Sequence, residues 1–258
     1  MKENFLHIGY HKTGTSWMQK FLFPEIFGDA YVGKPFNDYN NKDWSFLDSL
    51  NSEEERAASN EWVMKQHSDI NNVASILQDK LTNTKILISI RRQPEMLLSR
   101  FLHLSQERFK LWDMDLNLCL FRPPVLKKRR RYLSLPLYWY YNFAETYRAF
   151  TSKFGEQNVH FIIYENLFTN TNDEVERFLR FSGKGISDRQ KKMIEKNTSI
   201  GINKTKDNPK SPTEEIWYKE NRIVQQEIFS IINNAYEKTN QEMSELIKFD
   251  LSKYGYCK

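Results

Sequence analysis

Two cysteines in 258 residues are too few for a disulfide framework. Cys119 and Cys257 stand far apart and form neither a redox pair nor a metal-ligand spacing, which predicts two free thiols in a reducing compartment. Long apolar runs are missing too. No stretch reaches the length of a membrane span. Only five residues, Phe5–Gly9, separate Met1-Lys2-Glu3-Asn4 from Tyr10-His11-Lys12, too short a run for a signal peptide. The last three residues, Tyr256-Cys257-Lys258, are not a prenylation box. These absences predict a soluble, cytoplasmic protein. Charge of one sign is scarce as well: 38 Lys and Arg against 33 Asp and Glu give a net +5, which suits an anionic ligand but does not point to nucleic acid.

What is present is a core. Apolar residues make up 40% of the chain and aromatics 14%, enough for a folded domain. The length fits a single domain over residues 1–258. Short apolar runs predict strands at Phe5–Gly9, Lys85–Ile90 and Val159–Tyr164, with a weaker one at Trp62–Met64. Asp38–Asn60 reads as loop with a short helix. Helical spacing predicts helices over Thr15–Phe27, Ile70–Leu81, Pro94–Phe109, Leu137–Phe154, Asp173–Phe181, Ser187–Lys196 and most of Thr213–Leu251. Pro24 predicts a kink in the first of these. Strands alternating with helices predict an α/β fold: a three-layer domain with a central parallel sheet and helices on both faces. Leu111–Pro136, with Pro123-Pro124 and the cationic run Lys127–Arg131, reads as an insertion or mobile loop.

The segment Gly9-Tyr10-His11-Lys12-Thr13-Gly14-Thr15-Ser16 joins the first strand to the first helix. Its glycines have the spacing of a phosphate-binding P-loop, and Ser16 stands where that loop has its hydroxyl. Thr15 occupies the usual lysine position, and the lysine sits inside the loop at Lys12. Small residues and a helix start still suit a phosphate. From within the loop, Lys12 can reach the side from which a leaving group departs. A triphosphate enzyme of this architecture places an Asp at a later strand end to hold magnesium. Here Lys85–Ile90 runs into Arg91-Arg92, which attracts phosphate and repels metal. That predicts a phosphate ester bound with no metal ligands, and argues against a nucleotide kinase.

Lys12-Thr13-Gly14-Thr15-Ser16-Trp17 resembles the 5′-phosphosulfate loop of the sulfotransferases that use 3′-phosphoadenosine 5′-phosphosulfate (PAPS), in particular the small bacterial-type members. Two further segments extend the resemblance. Arg91 ends a strand and Ser99 follows eight positions later, as in the family's 3′-phosphate pair. Arg92-Gln93-Pro94 offers a second match, of the form Arg-x-Pro, although the spacing favours Arg91. Val159–Leu167 resembles the family's strand followed by Tyr-Glu-Asp-Leu, with Asn166 in the place of Asp, and implies that Tyr164 lies near the adenine. The motifs fall in family order over about residues 5–183.

The resemblance implies a P-loop-like α/β fold. It implies transfer of a sulfuryl group from PAPS to an acceptor hydroxyl or amine, with adenosine 3′,5′-bisphosphate as product and no metal. It assigns Lys12 to the bridging oxygen and the 5′-phosphate, and His11, Thr13, Gly14, Thr15, Ser16 and Trp17 to the donor site. A late loop over the 3′-phosphate falls on Lys196–Ser199 or on Asn203-Lys204-Thr205-Lys206. A general base is required for a hydroxyl acceptor. Lys65-Gln66-His67 matches the Lys-x-His of cytosolic animal members, and other members use a nearby carboxylate, here Asp69. His67 has the better-suited ordinary pKa, about 6.5. The acceptor itself is not written in the sequence. A carbohydrate, lipid or other small molecule fits, an anionic one if Lys127–Arg131 attracts it, and that run would also allow peripheral membrane contact. A non-catalytic binder of the bisphosphate is the alternative from another class, and the presence of Lys12, Arg91 and Ser99 together argues against it.

Overall fold

The computed structural model describes residues 3–33, 44–50, 54–61, 63–64, 69–104, 141–200 and 222–258. They fall into two compact units, one of Met1–Arg91 with Glu145–Asn203 and one of Arg92–Ala144 with Lys204–Lys258.

The first unit holds four parallel strands among the described residues: β1 Asn4–His7, β2 Ala57–Ser59, β3 Thr84–Ile90 and β4 Val159–Ile163, in the order β2-β1-β3-β4. Phe5 pairs with Ala57 on one side and Lys85 on the other, and Ser89 pairs with Ile162. The chain leaves β1 for β2 on one flank, then returns to β3 on the other. The crevice made by that reversal lies beyond the carboxyl ends of β1 and β3, where such sheets bind ligands.

Side chains on successive strand residues point to opposite faces. Phe5, Leu87 and Ile162 share one face and join Trp17, Phe23, Phe27, Phe178 and Ile194 in a continuous apolar cluster. That cluster covers the sheet with helices α1 Thr15–Trp17 and α2 Phe23–Phe27, which a π-turn, Met18–Leu22, connects, and with α7 Thr171–Ser182 and α8 Asp188–Ile200. On the other face Leu6, Ile8, Ile86, Ile88, Ile90 and Phe161 are buried. Helix α3 Ile70–Lys80 and helix α5 Phe143–Phe154 belong to this side: Gln78 Nε2 donates to Lys153 O at 2.7 Å, and Tyr147 packs on Phe161 at 5.9 Å between rings. This is the P-loop-like, three-layer α/β arrangement.

In the second unit, α4 Gln93–Leu104 and α9 Arg222–Leu246 are tied by a reciprocal amide pair. Gln93 Nε2 donates to Asn240 Oδ1 at 2.8 Å, Asn240 Nδ2 returns a bond at 3.0 Å, and the same Nδ2 reaches Tyr256 O at 2.8 Å. Both side chains are buried, so each of these bonds satisfies a group that water cannot reach.

Several elements differ from the sequence expectation. The edge strand is Ala57–Ser59, inside the stretch expected to be loop, while Val63 and Met64 lie in a turn. Two alanines and a serine carry none of the β-branched bulk that marks a strand. The helix expected from Leu137 starts at Phe143, and the carbonyl of Tyr141 accepts from Gln93 instead of a helical amide. The expected kink at Pro24 moves one turn earlier. The π-turn places Phe23 N on Met18 O, and Pro24, which has no amide proton to give, sits at the start of α2. Tyr164, expected to end β4, opens helix α6 Tyr164–Thr169. The long last helix stops at Leu246 and a separate 3₁₀ turn, Leu251–Tyr254, follows, capped by Asp250. The segment Leu111–Pro136 lies outside the described residues, as does the end of the helix expected to reach Phe109.

Candidate functional site

The loop after β1 is shaped by two left-handed residues, Lys12 (φ 65) and Gly14 (φ 80). Gly14 is required on two counts. Its backbone suits glycine, and a Cβ there would lie 3.1 Å from Phe168 and 3.2 Å from Tyr164. Gly9 is required by space alone, because a Cβ would run into Ser89 Oγ. Gly14 is the N-cap of the helix that follows and no side chain caps that helix end, so its first amides face the loop. A concave run of amides of this kind binds anions.

Lys12 has a side chain and still adopts the left-handed conformation, which costs about 1–2 kcal/mol. Arg91 holds it there. The guanidinium Nη1 donates to Lys12 O at 3.1 Å, and its Cζ lies over the Tyr164 ring, 4.3 Å from the centroid. Tyr164 in turn packs on Phe168 at 4.6 Å, and Phe168 on Trp17 at 5.3 Å. Residues from three separate segments, after β1, β3 and β4, therefore meet around one cation. Lys12, Arg91 and Tyr164 are each half-buried, so all three border solvent.

The other expected residues divide. Thr13 and Thr15 are buried, His11 and Gly14 are half-buried, and Ser16 is exposed. The Thr13 hydroxyl turns under the loop, donating to Tyr10 O at 2.6 Å. Trp17 is 2% exposed and donates from its indole to Asn197 O at 3.0 Å, so its ring backs Phe168 as part of the core. Arg92 engages its own unit, with Glu95 at 3.0 Å and Tyr254 O at 3.4 Å. Ser99 is half-buried on α4 in the second unit. Asp69 is exposed and caps α3, its Oδ1 accepting from Asn71 N at 3.0 Å and Asn72 N at 3.2 Å. His67, Asn203, Lys204 and the run Lys127–Arg131 lie outside the described residues.

Asn166 explains its own departure from the carboxylate expected at that position. It is fully buried between two acids, donating to Asp173 Oδ2 at 2.8 Å and Glu174 Oε2 at 2.7 Å. An amide can donate to both, whereas a third carboxylate could donate to neither. Glu174 also accepts from Ile163 N at 3.0 Å and Arg177 at 2.6 Å, and burial raises its pKa against these partners.

Below the loop lie residues that sequence reasoning did not single out. His7, Ser59 and Ser89 are buried polar groups on β1, β2 and β3, and Gln19 approaches from the π-turn. The Ser89 hydroxyl stands 3.0 Å from His7 Nε2 and 2.7 Å from Thr13 Oγ1. Burial pushes the His7 pKa down to about 3, so the ring is neutral. The signal that would have found these residues is polarity on a buried strand, as in Ser89 inside Ile86-Leu87-Ile88-Ser89-Ile90.

With that geometry in place, comparison with known proteins gives one family. The family model described as "Sulfotransferase domain" matches residues 2–239. No curated protein matches the sequence. Among solved structures, a sulfotransferase from Alicyclobacillus acidocaldarius is similar at 17% identity and a TM-score of 0.61, over 98% of this chain and 99% of that one. A mouse sulfotransferase solved in complex with PAP is similar at 15% identity and a TM-score of 0.52, over 91% of this chain and 89% of that one. At these identities the two structures speak for the fold. Among the described residues, no helix is long and apolar enough to cross a membrane.

Proposed function

The chain belongs to the sulfotransferase domain family, and from that premise we propose that it moves the sulfuryl group of PAPS to a hydroxyl or amine on a small-molecule, glycan or lipid acceptor. The observation that carries the assignment is the meeting of Lys12, Arg91 and Tyr164. Three separate motif segments contribute one residue each, and the Arg91 guanidinium touches the other two. The PAP in the mouse relative fits the same reading, since adenosine 3′,5′-bisphosphate is what PAPS leaves behind.

Each residue has a part. The amides of Thr13–Ser16 and the Thr15 and Ser16 hydroxyls hold the 5′-phosphosulfate. Lys12 neutralises charge on the bridging oxygen as it leaves. Arg91 takes the 3′-phosphate, and Tyr164 lies against the adenine. The acceptor oxygen forms a bond to sulfur while the bond from sulfur to the bridging oxygen breaks and that oxygen keeps the electron pair. The acceptor proton passes to a base. Positioned cations do most of the work in such a transfer. The cap at Asp69 occupies one of its oxygens with two amides, which supports His67 as the base. The reading needs no metal and places the enzyme in the cytoplasm.

The test is calorimetric binding of adenosine 3′,5′-bisphosphate against ATP with magnesium, followed by an acceptor screen with radiolabelled PAPS. The expected result is preference for the bisphosphate, with Lys12→Ala retaining that binding and losing transfer. His67→Ala removes transfer to hydroxyl acceptors and Asp69→Ala leaves it. Preference for ATP with magnesium overturns the donor assignment. Bisphosphate binding with no transfer to any acceptor class would leave a binding module instead.

A further inference from the structure

The polar residues beneath the loop form a chain whose proton directions can be worked out. Gln19 Nε2 lies 3.0 Å from Ser59 Oγ, and Ser59 Oγ lies 2.8 Å from His7 Nδ1. His7 Nε2 is 3.0 Å from Ser89 Oγ, which is 2.7 Å from Thr13 Oγ1. Thr13 donates to Tyr10 O at 2.6 Å. Ser59, Ser89 and Thr13 are 0% exposed and His7 1%, so water supplies none of these partners.

A hydroxyl has one proton to give. Thr13 spends its proton on Tyr10 O, so at Thr13 the Ser89 hydroxyl must donate. Ser89 must then accept at its other contact, which puts the proton of the neutral imidazole on Nε2. Nδ1 is left bare and takes the Ser59 proton, and Ser59 accepts from the Gln19 amide. Every link runs the same way, from Gln19 through Ser59, His7, Ser89 and Thr13 to the Tyr10 carbonyl. Only one neutral tautomer of His7 satisfies it, and an imidazolium, with two protons to give, would turn the Ser59 proton away from Nδ1 and break the run.

We infer that His7, as the neutral Nε2–H tautomer, is a positioning residue of the phosphate loop, fixing Tyr10 to Thr13 from below through Ser89. The inference rests on the proposed reading that this loop holds the 5′-phosphosulfate. Tyr10 O and Thr13 Oγ1 close a tight turn over His11 and Lys12. The Lys12 backbone in that turn is left-handed and is held from the side by Arg91. Without the chain, the Ser89 and Ser59 hydroxyls become buried groups with an unmet bond, and the turn loses its lower anchor.

The experiment uses the full chain. Nitrogen-15 spectra of the imidazoles, with His7 identified by comparison with His7→Gln, should show a bare Nδ1 and a protonated Nε2 that do not titrate between about pH 5 and 8. Calorimetry with adenosine 3′,5′-bisphosphate should show His7→Phe weakened by about tenfold or more. His7→Gln, which carries an acceptor and a donor at its tip, should recover to within about threefold. Thr13→Val should weaken binding similarly, and the double variant His7→Phe/Thr13→Val should be no weaker than either single one, because both break one path. If His7→Phe does not fold, Ser89→Ala takes its place, with the same expected loss and the same coupling to Thr13→Val. Wild-type affinity in folded His7→Phe, additive losses, or an imidazole that titrates in that range overturns the inference. If the wild type itself does not bind the bisphosphate, the donor assignment fails, and the imidazole spectrum still decides whether the chain has this direction.

Discussion

Arg91 donates to the carbonyl of Lys12 at 3.1 Å, so the cation at the end of β3 sets the backbone of the lysine in the loop after β1. The two residues stand 79 positions apart in sequence. One side chain thus serves two tasks in the proposed donor site, binding one phosphate and shaping the cradle for the other.

Replacing Arg91 by Lys keeps the charge and loses the planar fork and the stacking on Tyr164. Bisphosphate affinity should fall by about 10–100-fold, the equivalent of roughly 1.5–3 kcal/mol for a bond involving a charged group. Arg92→Lys should cost less, because Arg92 is engaged with Glu95 and Tyr254 O. Calorimetry on both variants checks the order, and a larger loss from Arg92→Lys would reverse their roles.

Gly14→Ala and Gly28→Ala separate backbone from packing. Both glycines have positive φ, but a Cβ at Gly28 has nothing within 4 Å, while one at Gly14 meets Tyr164 and Phe168. Gly28→Ala, at φ 54 and ψ −130 outside the left-handed helical region, should cost about 1–3 kcal/mol of stability, read as a lower Tm, and leave nucleotide binding intact. Gly14→Ala, whose Cβ presses on Tyr164 and Phe168, should lower Tm too and abolish bisphosphate binding. Equal binding by the two variants would show that the Tyr164 contact is irrelevant to the site.

Acid should destabilise the first unit through two histidines, His7 buried and His160 half-buried with its Nε2 shielded from water. His7 and His160 are each pushed down to about 3 by burial, and Arg177 and Arg180 add to the effect at His160. Their folded pKa values lie below the ordinary 6.5. The stability they contribute is therefore complete above that value and is lost as pH falls from 6.5 towards 3. The slope should approach about 1.4 kcal/mol per pH unit for each histidine. His160→Phe, which keeps the stack on Phe181, should remove one proton's worth of that slope in urea titrations at about pH 7, 6 and 5. An unchanged slope would mean that the fold does not hold His160 in its neutral form.

Asn166→Asp should destabilise the chain at neutral pH by about 1–3 kcal/mol, since it sets a third carboxylate against Asp173 and Glu174 and removes both donors. The new carboxyl would have a raised pKa, so the penalty should shrink as pH falls and it protonates. Urea midpoints for the variant and wild type across that range give the test. A penalty independent of pH would point to lost packing instead of charge.

The sheet was legible where strands are continuous apolar runs. Phe5–Gly9, Lys85–Ile90 and Val159–Tyr164 announce β1, β3 and β4 to within a residue or two at their ends, and the helices between them announce a parallel sheet. Ala57–Ser59 announced nothing, because small residues at a sheet edge take their conformation from pairing with β1. The glycine spacing of the loop was readable, since Gly9 and Gly14 are fixed by contacts that any side chain would break. What could not be read was which way a side chain turns. Thr13 lies in the loop motif, yet its hydroxyl faces down into the sheet, and Trp17 packs inward with its indole on Asn197 O. Those directions depend on Ser89 and on α8, residues distant in sequence. The role of His7 was hidden for the same reason: a lone histidine in an apolar strand has no visible partner until β2 and β3 flank it.

The π-turn at Met18–Leu22 holds one more residue than an α-turn would. That surplus acts as slack in the connection from loop to core. Gly9–Thr15 ahead of it and Pro24 behind it are anchored independently, so a chain one residue shorter, lacking the exposed Lys20, could close the turn to ordinary helix without disturbing either anchor. In alignments of related sequences a single-residue gap between the loop and this proline would mark the same fold, not a broken motif.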